Sequence, residues 1–230
     1  MLLVLLKRLK IIGKIEMNKN DVYLKKKKIL INSKKIIIDN GWNKNLPDCI
    51  SKKRITNLKE IFFLFPNGYQ DLLSFYLIDL DLSMISYIKK LDLIRMRMHE
   101  RIREIIILRL KNNEKDKVLL KKTTFSLLLP HHYQISTKAL YNTINHIWNS
   151  AGDTSTDFNF YTKRATLAQI FLITNFHWLN NDDLTDTIKI LDGQLKLISK
   201  IPKLKNAIKD ISKIAPLGIN SLKNFNFFKL

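Results

Sequence analysis

At 230 residues the chain is long enough to bury one sizeable core, and its single cysteine, Cys49, excludes a disulfide framework and a thiolate metal cage. The formal net charge is +20, and the excess sits at the two ends: residues 1–60 carry 16 Lys and Arg against 5 Asp and Glu, and residues 186–230 carry 9 against 3. Basic ends around a nearly balanced middle fit termini that meet an anionic surface, although a bias toward Lys, Ile and Asn together also produces a merely solvated basic surface.

The first residues, Met1 to Leu6, are apolar and are followed by Lys7, Arg8 and Lys10, the reverse of a secretory signal's order. No run reaches the ~18 apolar residues that a spanning helix needs. The segment is neither Arg-rich nor Ser-rich, as a transit peptide would be, which favours a cytoplasmic location, and Met17 offers a second start. Six glycines and five prolines punctuate a sequence whose apolar residues recur at spacings of three and four, so the chain reads as all helical.

The spacing predicts about ten helices. The first, over 23–39, contains Lys25 to Lys28 and stops before Gly41; short helices over 45–53 and 57–65 precede the Pro66-Asn67-Gly68 turn. Helices over 69–87, 91–112, 115–128, 134–150 and 157–179 follow, with Pro130 and Gly152 at breaks, and basic amphipathic helices over 184–199 and 202–215 complete the ordered part. The expected organisation is an extension over 1–22, a helix-turn-helix-like head over 23–66, a helical bundle over 67–200, and a basic amphipathic helix with a tail over 201–230.

A head of three helices, the second and third short and tightly joined, is the layout with which TetR-type repressors begin. DNA recognition requires Arg, Lys, Asn or Gln facing base edges. The third helix instead ends Ile61-Phe62-Phe63-Leu64-Phe65, and its connection Arg54-Ile55-Thr56 lacks the usual glycine. Lys52, Lys53, Arg54 and Lys59 remain available to phosphates, so a TetR-type DNA-binding regulator is kept as the alternative reading.

Catalytic patterns are sparse. No glutamate has a histidine three residues on, as a ferritin-like di-iron site requires, and Gly-x-Gly-x-x-Gly, the phosphate-binding loop and Gly-x-Ser-x-Gly are absent. His131-His132 reads as a loop pair or polar lid more readily than as a metal site. Asp153 and Asp157 read as helix caps with an ion pair to Lys163 or Arg164, more readily than as an acid and base. The expectation is a non-enzyme without metal or cofactor.

The densest stretch is 151–167, which escapes the Lys, Ile and Asn bias. Gly152 permits a turn, Asp153, Ser155 or Asp157 can cap free N–H groups, and Phe158, Tyr161, Ala165 and Ala168 follow at helical spacing. The run Ala151-Gly152-Asp153-x-Ser155-x-Asp157-Phe158-Asn159-Phe160-Tyr161-Thr162-Lys163-Arg164-Ala165 closely resembles the hallmark of the ubiquinone-biosynthesis accessory proteins, a lipid-binding family with a TetR-like fold. Phe160 stands where that family usually has tryptophan. Gly41-Trp42, Phe65-Pro66-Asn67-Gly68 with Asp71-Leu72, Leu129-Pro130-His131 and Ile147-Trp148 extend the similarity over roughly 25–215.

The resemblance implies an all-α, TetR-like bundle with a degenerate helix-turn-helix head and a lipid or isoprenoid ligand, and it makes nucleic acid an improbable partner. It also implies docking to the di-iron hydroxylase that acts on demethoxyubiquinone, homodimer formation and peripheral attachment to the inner membrane, on the matrix side in a mitochondrion. The docking role falls on Ile147, Phe160 and Tyr161, expected as an exposed cluster at one corner, with burial in the core as the alternative. Gly152, Asp153, Ser155, Asp157 and Arg164 are assigned a structural role in the motif.

Membrane binding falls on the 202–215 helix. Leu204, Ile208, Ile211 and Ala215 form one stripe, and Lys203, Lys205, Lys209 and Lys213 occupy the other faces. Such a helix can lie among anionic headgroups or pack on the bundle, and the resemblance favours the membrane. Surplus apolar residues on the helices over 69–87, 91–112 and 157–179, including Met84, Met96, Met98, Phe171 and Trp178, are candidates for a cavity wall.

Overall fold

Nine α-helices, and no strand among the described residues, make up the computed structural model, which describes residues 2–153 and 158–196. They are α1 (Leu2–Asn40), α2 (Leu46–Lys52), α3 (Leu58–Leu64), α4 (Tyr69–Ile88), α5 (Met98–Asn112), α6 (Lys117–Leu127), α7 (Tyr133–Ala151), α8 (Phe158–Asn180) and α9 (184–196). The expected breaks hold because special backbone falls where glycine allows it. Gly41 (φ 76°) donates back to Ile37 to end α1, Gly68 (φ 61°, ψ −125°) opens α4, and Gly152 (φ 91°) closes α7.

Two boundaries differ from expectation. The first helix, expected over 23–39, is continuous from Leu2. The helix expected over 91–112 begins only at Met98, because the Asp92 side chain accepts the Ile94 N–H at 3.3 Å in a local turn, and Glu100 caps the Arg97 N–H at 2.8 Å. In the α2–α3 turn Arg54 itself takes φ 55°, the left-handed conformation for which a glycine is the usual residue.

Two hydrophobic clusters share α4. The first joins α1, α2 and α3 to the beginning of α4 around Leu30, Ile37, Ile50, Phe65 and Leu73. The second joins the end of α4 to α5, α7, α8 and α9 around Ile105, Ile106, Ile147, Leu167 and Trp178. Side-chain bonds tie the connections to these cores. Trp42 donates to Thr123 at 3.0 Å, Trp178 donates to Glu114 at 2.9 Å, and buried His132 bridges the Ser126 carbonyl (2.8 Å) and the Tyr69 hydroxyl (3.3 Å). The histidine pair is thus half core: His132 is fully buried and His131 exposed.

Candidate functional site

Between the two clusters, α4, α5, α6, α7 and α8 leave an open cavity of about 260 Å³ with mainly apolar walls, including Leu77, Leu120, Leu140 and Phe171. A second hollow of about 250 Å³ adjoins it, with Leu77 and Ala139 as shared walls, and runs between α4 and α7. Each is near the small end of the range for small-molecule sites, ~300 Å³. The first is the more apolar of the two, since Ser74, Asp81, Gln134, Lys138 and Asn142 make up much of the second's wall. A third cleft of about 180 Å³ is lined by Lys27, Lys34, Asp79 and Asp116 and is too charged for hydrocarbon.

A buried charge pair that the sequence did not announce lies between the two hollows. Arg109 on α5 donates to Asp81 on α4 at 2.6 Å, and Thr143 on α7 donates to both oxygens of that carboxylate at 2.8 and 3.1 Å. The two charged side chains are only 10% and 6% exposed, and the guanidinium carbon lies 5.5 Å from the centre of the Phe171 ring. Arg109 and Thr143 line the first hollow and Asp81 the second, so one polar knot faces both. Of the side chains picked out beforehand, Phe171 and Trp178 do line the cavity, whereas Met84 is packed in the core.

The hallmark builds the corner between α7 and α8. The Asp153 N–H returns to the Trp148 carbonyl at 3.0 Å and the Gly152 N–H to Asn149 at 3.0 Å, which turns the chain sharply after α7. Arg101 donates to the Ala151 carbonyl at 3.0 Å, and a Cβ on Gly152 would meet its Nη1 at the same distance, so a side chain here would shift that arginine as well as strain the positive φ.

The Asp153 carboxylate, 3% exposed, then accepts from Lys163 at 2.9 Å and from Arg164 at 3.5 Å. Arg164 also donates to the Asn145 side chain and, at 3.3 Å, to the Phe160 carbonyl, while its guanidinium lies flat against the Phe160 ring, 3.3 Å from the centroid. Trp148 Nε1 donates to the Lys163 carbonyl at 3.3 Å. The ion pair anticipated for Asp153 is present with both cations.

These bonds decide what the corner displays. Phe160 is half-buried on the arginine, and Tyr161, held edge-on to it at 5.1 Å, is 70% exposed. Ile147, expected beside them on the surface, is fully buried instead. Ile144, Ile147, Trp148 and Ala151 fall at 0, +3, +4 and +7 and share the inward face of α7, so the residue is core. Ser155 and Asp157, and the whole 202–215 helix with Lys203, Leu204, Lys205, Ile208, Lys209, Ile211 and Lys213, lie outside the described residues.

The fold defines a TetR-like helical bundle. A TetR transcriptional regulator from Nitrosomonas europaea superposes with a TM-score of 0.61 over 75% of this chain and 96% of its own, at 17% identity. The sequence then narrows the relationship: residues 133–202, which include α7, the corner and α8, match the model of the COQ9 family. Human mitochondrial ubiquinone biosynthesis protein COQ9 is 38% identical over 71 residues, 30% of this chain and 22% of the human protein. Xenopus laevis COQ9-A, also mitochondrial, is 34% identical over 98 residues, 42% of this chain and 30% of its own length. The chain therefore aligns with less than a third of each of these two relatives, and the family resemblance drawn from the motif rests on that segment. No described helix is long and apolar enough to cross a membrane.

Proposed function

We propose that the chain is a lipid-binding accessory protein of ubiquinone biosynthesis that catalyses no reaction itself. It holds a polyprenyl quinone intermediate in the α4–α8 cavity while attached to the face of a membrane, and it presents the head group to the di-iron hydroxylase acting on demethoxyubiquinone. The observation that carries this reading is the mainly apolar cavity itself, in a chain whose 133–202 segment matches the COQ9 family. An isoprenoid tail is driven out of water, so a partly enclosed apolar cavity lowers the cost of lifting it from the bilayer. Holding the head group near the enzyme replaces a search through the membrane by an oriented encounter.

The test is organic extraction and mass spectrometry of the purified full chain. A quinone, isoprenoid or phospholipid in near-stoichiometric amount is the expected result, and an empty protein overturns the reading. Ala139 is half-buried in the wall of both hollows, so Ala139→Phe fills cavity space without entering the core. It should lower the extracted lipid about tenfold while the helical circular dichroism stays unchanged.

Docking to the hydroxylase falls to Tyr161, exposed beside the rigid Phe160–Arg164 stack. Exposed aromatic anchors are the usual hot spots of such contacts. Tyr161→Ala should reduce hydroxylase recovery in a pull-down about tenfold and leave vesicle binding and bound lipid unchanged. Unchanged recovery would remove Tyr161 from the interface.

A further inference from the structure

The exposed side of α3 is unlike a surface that meets only water. Leu58, Phe62 and Phe63 are 37%, 46% and 80% exposed, and their i, i+4 and i+5 spacing puts them on one side of the helix while Ile61 and Leu64 go into the core. Phe62 rests on Gly68, where a Cβ would meet its ring at 3.5 Å, so the apolar face is backed by the tight turn that opens α4. Lys52, Lys53, Arg54 and Lys59 are all exposed around it. The one acidic residue in the 51–65 stretch, Glu60, accepts from the Thr56 hydroxyl through its carboxylate, and its backbone N–H donates to the Asn57 side chain.

In a helix-turn-helix head α3 is the element that would enter the major groove, and apart from Lys59 the exposed side chains it offers are apolar, not the usual readers of base edges. Aromatic and aliphatic side chains ringed by lysine and arginine match a different anionic surface, one with hydrocarbon beneath its charges. We propose that the α2–α3 head is a membrane-insertion wedge: Phe63, with Leu58 and Phe62, enters the headgroup boundary of an anionic bilayer while Lys52, Lys53, Arg54 and Lys59 lie against lipid phosphates. This contact is separate from the 202–215 segment and does not depend on the ligand cavity. It gives the head a role that the loss of base-reading residues would otherwise leave unexplained.

The experiment uses the full chain carrying Phe63→Trp, mixed with phosphatidylcholine vesicles with and without phosphatidylglycerol, their acyl chains brominated as quenchers. The native indoles of Trp42, Trp148 and Trp178 are buried and supply a constant background from the parent chain. Blue-shifted emission from the introduced indole, quenched by bromine only with the anionic lipid, is the expected result. In the otherwise native chain, Phe63→Ser should weaken anionic-vesicle affinity about tenfold, in line with losing one buried aromatic.

Vesicle binding without quenching at position 63 would place the membrane contact elsewhere and overturn the proposal. An emission change on adding duplex DNA, or on raising protein concentration without lipid, would assign the face to nucleic acid or to a second copy, and either overturns it as well. Failure of this test leaves lipid extraction unaffected, so the two readings fail separately.

Discussion

Arg109→Ala is expected to cost the ligand-free protein about 3–5 kcal/mol, the scale set by breaking a buried ion pair from one side. Asp81 and Arg109 are almost fully enclosed, and only Thr143 would remain to the carboxylate once the guanidinium is gone. For a chain of this length that corresponds to a fall of about 10 °C in Tm. Asp81→Leu combined with Arg109→Met, which removes both charges and keeps the volume, should recover most of the loss. If the single variant melts with the parent chain at neutral pH, the knot is not holding the two clusters together.

That knot marks where the sequence stops being legible. The helices could be read because glycine and proline fall at their ends and the apolar spacing is regular, and the fold class followed from those helices and from the hallmark. Arg54 could not be read as a left-handed residue, since nothing in an arginine advertises φ 55°. The late start of α5 follows from Asp92 and Glu100 making local bonds that compete with an apolar periodicity, and Ile94 is left 86% exposed.

The burial of Ile147 was legible, because its stripe with Ile144, Trp148 and Ala151 is regular; its place beside the motif had drawn attention to the corner instead. Asp81 and Arg109 stand 28 positions apart on different helices, and no local spacing announces such a pair. A cavity is harder still, since it consists of side chains that fail to meet, and that depends on how five helices cross. The α3 face was half legible. Its apolar character was plain, but whether Phe62 and Phe63 point into the core or out of it was settled only by the helix orientation.

Asp153→Ala should be the second most damaging change, at about 3 kcal/mol, because it strips the carboxylate from two cations in unequal surroundings. Lys163 is 39% exposed and can be rehydrated, so its share is small. Arg164 is 8% exposed and sandwiched against Phe160, so it loses its charge partner in a place that water cannot readily reach. An order of effects follows. Lys163→Ala should cost under about 1 kcal/mol. Asp153→Asn, which retains an acceptor oxygen without the charge, should fall between it and Asp153→Ala.

Beyond global stability, the change should act on display. Arg164 donates to the Phe160 carbonyl and lies over its ring, and Tyr161 meets that same ring edge-on. Loosening it should raise amide hydrogen exchange at the start of α8 and cut hydroxylase capture as strongly as Tyr161→Ala, even though Asp153 is itself buried. Urea unfolding, hydrogen exchange and the pull-down together check this. If Asp153→Ala lowers stability while exchange at the start of α8 and partner capture stay at parent levels, the ion pairs hold up the bundle and play no part in presenting the corner. If all three move together, the buried Asp153–Arg164 pair is explained by the exposed Tyr161 ring it helps to position.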